Sequence, residues 1–274
     1  MLNSIYAALL AVALTITTKY YIKTELKSYL LLFIFLSTFS VYIINNFFVQ
    51  YRHFKNNITL FLQKYLIQFL ILLFSLLIMI EIFFYFNLIE KIVLVMLIFL
   101  TSFYLIIYES IYSYKNIGLS FLKPVILALV WSMSTVILPV ISDISKTIIF
   151  QVIIVFIIRF LLIAANGLLL DFYDQKKDAK FNISNIYLFY SNKNVLKVIA
   201  ALLIVTILII IYSCSLNFIW ILIIGDLICA LTYFTIIILY LNNIFLSWIN
   251  SDFYPYLLDS FLFFSFFAVV LFYQ

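Results

Sequence analysis

"RFLLIAANGLLLDFYDQKKDAKFNIS", residues 159–184, carries the two features that decide how the chain is read. Its first half continues an apolar run that begins near residue 147. Its second half places Asp171, Asp174 and Asp178 directly after that run, with lysines between and after them. About 20 apolar residues cross a bilayer as a helix, because a helix rises about 1.5 Å per residue across roughly 30 Å of hydrocarbon. The acids therefore sit where such a helix leaves the membrane. Steps of three and four residues, at about 100° each, put all three carboxylates on one face of a helix continuing out of the span. The outer two are then about 10 Å apart along the axis.

The rest of the chain has the same character. Its 274 residues are 68% hydrophobic and 10% charged, with mean hydropathy +1.25. A soluble domain has about 25% charged residues, so this composition excludes one and marks an integral membrane protein. The apolar runs are long and continuous rather than alternating, which excludes a barrel. Lipid offers no partner for a free backbone amide, so each run must be a helix. Charge clusters cut the chain into about nine spans, near 3–19, 28–50, 65–86, 92–113, 122–141, 147–170, 195–215, 217–241 and 256–273. Residues 1–274 thus form a single polytopic, all-α membrane domain. "MLNSIYAALLAVALTITT" has no basic segment before its apolar run and reads as the first span rather than a cleaved signal. Cys214 and Cys229 lie in apolar runs and act as small apolar residues, with no disulfide framework or zinc site implied.

Lysine and arginine set the expected orientation. The loops after spans two, four and six carry ten of them: Arg52, Lys55, Lys64, Lys115, Lys123, Lys176, Lys177, Lys180, Lys193 and Lys197. The opposite side carries five: Lys19, Lys23, Lys27, Lys91 and Lys146. This puts the N-terminus and the aspartates in the cytoplasm and the C-terminus outside, in the plasma (inner) membrane of the cell. The net charge of +5 comes from these loop lysines and does not indicate nucleic-acid binding.

Three carboxylates on one face repel one another unless a cation lies among them. Oxygen ligands suit magnesium, which commonly joins one or two carboxylates to a substrate phosphate. Lys176, Lys177 and Lys180 add donors for such a phosphate. A polar connection rich in Asp and Lys is the plain alternative. Arg159, inside span six, lies about 18 Å along the helix from Asp171 and needs a polar surrounding or a partner. Asp226, in span eight, is either a site residue or an acid hydrogen-bonded between helices. Asp259, near the start of span nine, is a candidate to face the interior of the bundle, and Glu109, near the end of span four, is placed either to reach the aspartate cluster or simply to mark the span boundary.

The quoted stretch resembles the second aspartate-rich region of the UbiA-type membrane prenyltransferases, whose pattern is DxxDxxxD at the end of an apolar helix. Asp171, Asp174 and Asp178 match its acidic positions and Lys180 a basic one. "YSYKNIGLSFLKPVILALVWSMSTVILP", with Tyr112, Lys115 and Lys123, is similar to the region between the family's fourth and fifth helices. "YPYLLDSFLFF" is similar to the start of its last helix. The resemblance implies a helical bundle around a central cavity and transfer of a prenyl group from a polyprenyl diphosphate to an acceptor, such as an aromatic ring or a lipid. It implies Mg²⁺ held by Asp171, Asp174 and Asp178 as the catalytic set. Lys115, Lys123, Arg159, Lys177 and Lys180 are carried as substrate-binding candidates.

The first aspartate-rich motif, expected near the end of span two, reads "IINNFFVQYRHFKNN" here. Asn45 matches the family's asparagine, but Asn46, Val49 and His53 stand at its three acidic positions. No acid occurs between Lys27 and Lys64. Neutral amides stabilise a metal less than carboxylates do. Arg52 offers a guanidinium that can neutralise a diphosphate in place of a metal, so Asn45, Asn46 and Arg52 join the substrate-binding candidates. Two functions remain open: a prenyltransferase, and a non-catalytic relative that binds an isoprenoid lipid or a protein partner. A transporter is disfavoured by the presence of only three glycines and three prolines, since transporters build sites from broken helices.

Overall fold

The computed structural model describes residues 2–23, 25, 27–53, 58–113, 117–143, 146–180, 185–215, 220–241, 254–264 and 266–267. Within these, the side chains of several helix ends lie outside the described residues, among them Arg52, His53, Glu109, Tyr112, Lys177 and Lys180. Lys115 and Asn182 also lie outside them. In order, the helices are α1 (Leu2–Ile22), α2 (Ser28–His53), α3 (Ile58–Phe83), α4 (Leu88–Ser113), α5 (Ile117–Ser132), α6 (Leu138–Val140), α7 (Lys146–Lys180), α8 (Asn192–Ser215), α9 (Trp220–Leu241) and α10 (Tyr254–Phe261). A π turn, Met133–Ile137, joins α5 to α6, and there is no strand among the described residues.

Seven helices are long and apolar enough to cross a membrane, and α9 contributes a shorter apolar stretch, Ile224–Leu239. The first eight spans expected from charge clusters each fall on one of these helices, α5 with its π turn and α6 making the fifth; the ninth, 256–273, begins in the short α10 and its later part lies outside the described residues. The exit helix of span six is also found. α7 runs unbroken for 35 residues, so the aspartates lie on its last turns and not in a loop.

Apolar burial does not drive helix association in lipid; close packing of small residues and interhelical hydrogen bonds do. α1 shows both. It buries Ser4, Ala7, Ala8, Ala11 and Ala13 along one stretch, and it packs on α2, α7 and α9. Its buried threonines return their hydroxyls to carbonyls one turn back: Thr15 to Ala11 at 2.8 Å, Thr17 to Leu14 at 2.7 Å and Thr18 to Leu14 at 3.0 Å. α3 and α4 are mostly uncovered and turn large apolar side chains such as Leu77, Phe74 and Phe99 outward, as lipid contact requires.

At the bundle end opposite the aspartates, Asn87 and Glu90 cap α4 reciprocally. Asn87 Oδ1 accepts from the Glu90 amide and Glu90 Oε2 from the Asn87 amide, both at 2.8 Å. Lys27 adds a 3.0 Å ion pair to Glu90, tying the α1–α2 connection to this turn.

The strongest internal tie is ionic. Arg159, fully buried on α7, meets Asp226 of α9 at 3.1 Å. Its Nη2 donates to Thr17 Oγ1 of α1, and the Tyr21 hydroxyl donates to Asp226 Oδ2 at 2.9 Å. The guanidinium also faces the Tyr21 ring at 5.8 Å. Removing one partner of a buried pair leaves an unpaired charge, at a cost of about 3–5 kcal/mol, whereas replacing both with apolar residues is often neutral. Asp226→Ala should therefore lower the thermal unfolding temperature in detergent sharply, and the double variant Arg159→Met/Asp226→Leu should recover most of the loss. Equal losses in both would show that the pair does not hold the bundle.

Candidate functional site

The site begins with a close helix crossing. Gly167 of α7 lies against Pro124 of α5 so tightly that a Cβ added at Gly167 would sit 3.3 Å from Pro124 Cβ. Pro124 follows Lys123, and Asp171 lies one turn beyond Gly167. The crossing thus sets Lys123 Nζ on Asp171 Oδ1 at 2.6 Å. The spacing of the aspartates could not show this partner, which sits on another helix 48 residues away.

A second support comes from the segment after α7. Asn185 Nδ2 donates to Asp178 Oδ2 at 2.7 Å and to the Asp171 carbonyl at 2.6 Å, while its Oδ1 caps the short turn Ile186–Leu188 through the Tyr187 amide at 3.0 Å. The Tyr187 hydroxyl reaches the Leu168 carbonyl at 3.1 Å, and its ring meets Phe172 edge-on at 5.0 Å. Residues 185–188 therefore fold back on α7 and fix its last turns. Asp171 and Asp178 are 5% and 7% exposed, and Asp174 is more open. One-faced spacing is borne out as geometry, because the three acids lie on one continuous helix.

Burial raises the Asp178 carboxyl to about 6. The charges of Asp174 and Asp171 add to this, and Lys123 and the Asn185 hydrogen bond oppose it. Lys123 is the ammonium described against these acids.

Asn45 and Asn46 lie on α2, and Asn45 lines a mostly apolar cavity of about 360 Å³ between α2, α3, α4 and α5. Its other polar lining includes Ser37, Tyr42, Ser102, Tyr104 and Ser134. Asn45 Oδ1 is buried without a hydrogen-bond partner. The π turn after α5 brings Trp131 and Ser134 to the wall; π turns are frequent at functional sites.

Arg159 is not brought to the aspartates. Its guanidinium is committed to Asp226 and Thr17, about 18 Å along α7 from Asp171, so the partner demanded by a buried arginine is an acid and not a substrate. Arg52, Lys115, Lys177 and Lys180 fall outside the described residues or side chains. Sequence reasoning missed Asn185 and Asn166. A lone asparagine in an apolar span was the available signal for Asn166, and nothing in the spacing pointed to Asn185.

Among the described residues, no three of His, Cys, Asp or Glu converge on one ion position. The expected Mg²⁺ set of Asp171, Asp174 and Asp178 is therefore not gathered around a single ion position among the described residues.

Comparison with known proteins adds one finding about the fold. No family model matches the chain, and no curated protein matches it. A solved structure concerning digeranylgeranylglyceryl phosphate synthase in membranes is similar, with a TM-score of 0.63 at 17% identity over 98% of this chain and 93% of that one. That synthase is a UbiA-type enzyme, so the UbiA-like helical bundle expected from the aspartate motif is the fold of this integral membrane protein.

Because the Asp178 carboxyl titrates near 6 in the fold and near 4 when unfolded, its ionisation costs stability. That cost is absent below about pH 4, grows as the pH rises through 6 and is constant above it. Metal-free protein in detergent should therefore lose up to roughly 3 kcal/mol over this range through Asp178. Asp178→Asn keeps an acceptor for Asn185 and should flatten that part of the profile. A pH–stability curve unchanged by the substitution would contradict this account of the cluster.

Proposed function

We propose that the chain is a membrane prenyltransferase that takes a polyprenyl diphosphate and passes its prenyl group to an acceptor. The observation that carries this reading is the end of α7. Asp171 and Asp178 are fixed there by Lys123 and Asn185, with Asp174 between them on the same helix, in a fold similar to that of a digeranylgeranylglyceryl phosphate synthase. Asp174 and Asp178, with Asp171 beside them, would hold Mg²⁺, which when bound neutralises the leaving diphosphate. Lys123 moves from Asp171 to a phosphate oxygen as a point charge, and Lys177, Lys180, Lys115 and Arg52 are further candidates for the same phosphates. Asn45 and Asn46 stand where carboxylates are absent, so this side binds diphosphate through amides and cations. The apolar cavity beside Asn45 accommodates the prenyl chain and keeps water from its reactive carbon. The lysine count supports placing the aspartates on the cytoplasmic side.

A second reading is a protein that keeps the fold and binds an isoprenoid lipid or a partner without chemistry. Lys123 already neutralises Asp171 at 2.6 Å, and the first aspartates are missing, both of which favour it.

The two part on one experiment: incubation of the purified protein with geranylgeranyl diphosphate, with and without Mg²⁺, following release of diphosphate. Prenyl transfer predicts Mg²⁺-dependent release that falls at least about 10²-fold in Asp171→Ala or Asp174→Ala, the scale of a lost transition-state charge contact. Lys123→Ala and Arg52→Ala should weaken binding of the diphosphate. Binding without release in the wild type would leave the non-catalytic reading.

A further inference from the structure

One polar cluster inside the bundle is used neither by the α7 aspartates nor by the Arg159 ion pair. It centres on Asp259 of α10. Asn166 Nδ2 donates to Asp259 Oδ1 at 2.7 Å. Asn166 is 5% exposed, and its own Oδ1 is buried with no hydrogen-bond partner, although Asp259 is itself only partly buried. A buried hydrogen bond left unmade is costly, and the other amide rotamer would turn Asn166 Oδ1 against the carboxylate. The cluster therefore presents acceptors, Asn166 Oδ1 and the carboxylate of Asp259, and lacks a donor.

One residue under its electrostatic influence, Tyr42, also reaches the cavity. Tyr6 of α1, Tyr42 of α2 and Tyr233 of α9 all lie within electrostatic range of Asp259. Tyr233 spends its hydroxyl hydrogen on the Leu258 carbonyl at 2.9 Å, and Tyr6 is hydrogen-bonded with Ser260. Tyr42 lines the cavity. Asn166 precedes Asp171 by five residues, so it lies about 7.5 Å further down α7 and about 140° around it, turned to α10 where Asp171 is turned to α5.

We propose that Asn166 and Asp259 form the acceptor subsite, which binds a hydroxyl group, of an alcohol or a phenol, and takes its proton. The inference rests on the prenyl-transfer reading above. The bond between C1 of the prenyl group and the diphosphate oxygen breaks, and its electron pair leaves with the diphosphate. A lone pair of the acceptor oxygen forms the new bond to C1, and the hydroxyl proton passes to the Asp259 carboxylate. Asn166 Oδ1 accepts the hydroxyl hydrogen as the acceptor binds, and the hydrogen then swings to the Asp259 carboxylate, which Asn166 Nδ2 holds in place.

Water and methanol are the smallest hydroxyl donors and serve as probes. Purified full-length protein is given geranylgeranyl diphosphate and Mg²⁺ in aqueous methanol, and the products are resolved as prenyl alcohol, methyl ether and elimination hydrocarbon. Asp259→Asn retains the hydrogen bond from Asn166 and should bind the diphosphate as the wild type does. It should form alcohol and ether on the order of 10²–10⁴-fold more slowly, the range for loss of a general base. Its remaining product should shift towards hydrocarbon, and Asp259→Glu should restore part of the ether. An unchanged rate and product split in Asp259→Asn would overturn the proposal, and so would loss of diphosphate binding, which marks a merely structural contact. A wild type that binds no diphosphate, or binds it and releases none, overturns the prenyl-transfer reading itself and the subsite with it.

Discussion

Arg159 and Asp226 meet at 3.1 Å in a region where neither has water to fall back on, and α1, α7 and α9 are arranged around that meeting. The pair recruits a hydroxyl from Thr17 and another from Tyr21, so both charges are hydrogen-bonded as well as neutralised. A charge left alone at such a depth costs several kcal/mol. The three helices are therefore held in one register, because any slide that parts the ions is heavily penalised. α7 is the common member. Its middle is fixed by the ion pair, its Asn166 turn reaches α10, its Gly167 lies on Pro124 of α5, and its end carries the aspartates. The position of the acids is thus inherited from contacts made further down the same rod.

The two charged regions of α7 are built to opposite ends. At Arg159, the acid, the cation and the hydroxyls that bond them are supplied by the protein, and the Arg159 Nε is the group of this unit left buried without a hydrogen bond. At Asp171, Asp174 and Asp178 the described partners are one lysine and one asparagine, and burial pushes Asp178 up to about 6. The interior pair holds helices in register, while the contacts of the acids tie the end of α7 to α5 and to the segment that folds back after it.

Much of the fold was legible because lipid reduces the choices. Apolar runs long enough to span must be helices, and the charges between them mark their ends, so α1 to α4 could be read almost from composition. The one-faced acids on an exit helix were legible too, since α7 needs only its own periodicity to continue past residue 170. Contacts between distant helices were not. Lys123 looked like an orientation charge until the crossing of Gly167 over Pro124 set it on Asp171. Arg159 and Asp226 each announced a need for company, yet only the packing showed that each answers the other. Asn185 gave no signal, because an asparagine beyond a helix end has many ordinary uses, and its double hydrogen bond depends on how the chain folds back.

The ion pair also has a consequence for how the chain is made. Thr17 and Tyr21 enter the bilayer with α1, Arg159 follows some 140 residues later, and Asp226 is synthesised last. Until α9 is inserted, the arginine lies in a half-built bundle without its acid, and α9 must carry Asp226 into lipid alone, at about +3 kcal/mol by insertion scales. The other residues of α9 are almost all apolar and outweigh that penalty, so insertion proceeds. Assembly of the first and last parts of the chain is thereby one event. A ribosome that stalls before residue 226, or a truncation that removes α9, leaves a buried cation exposed to the quality-control machinery of the membrane.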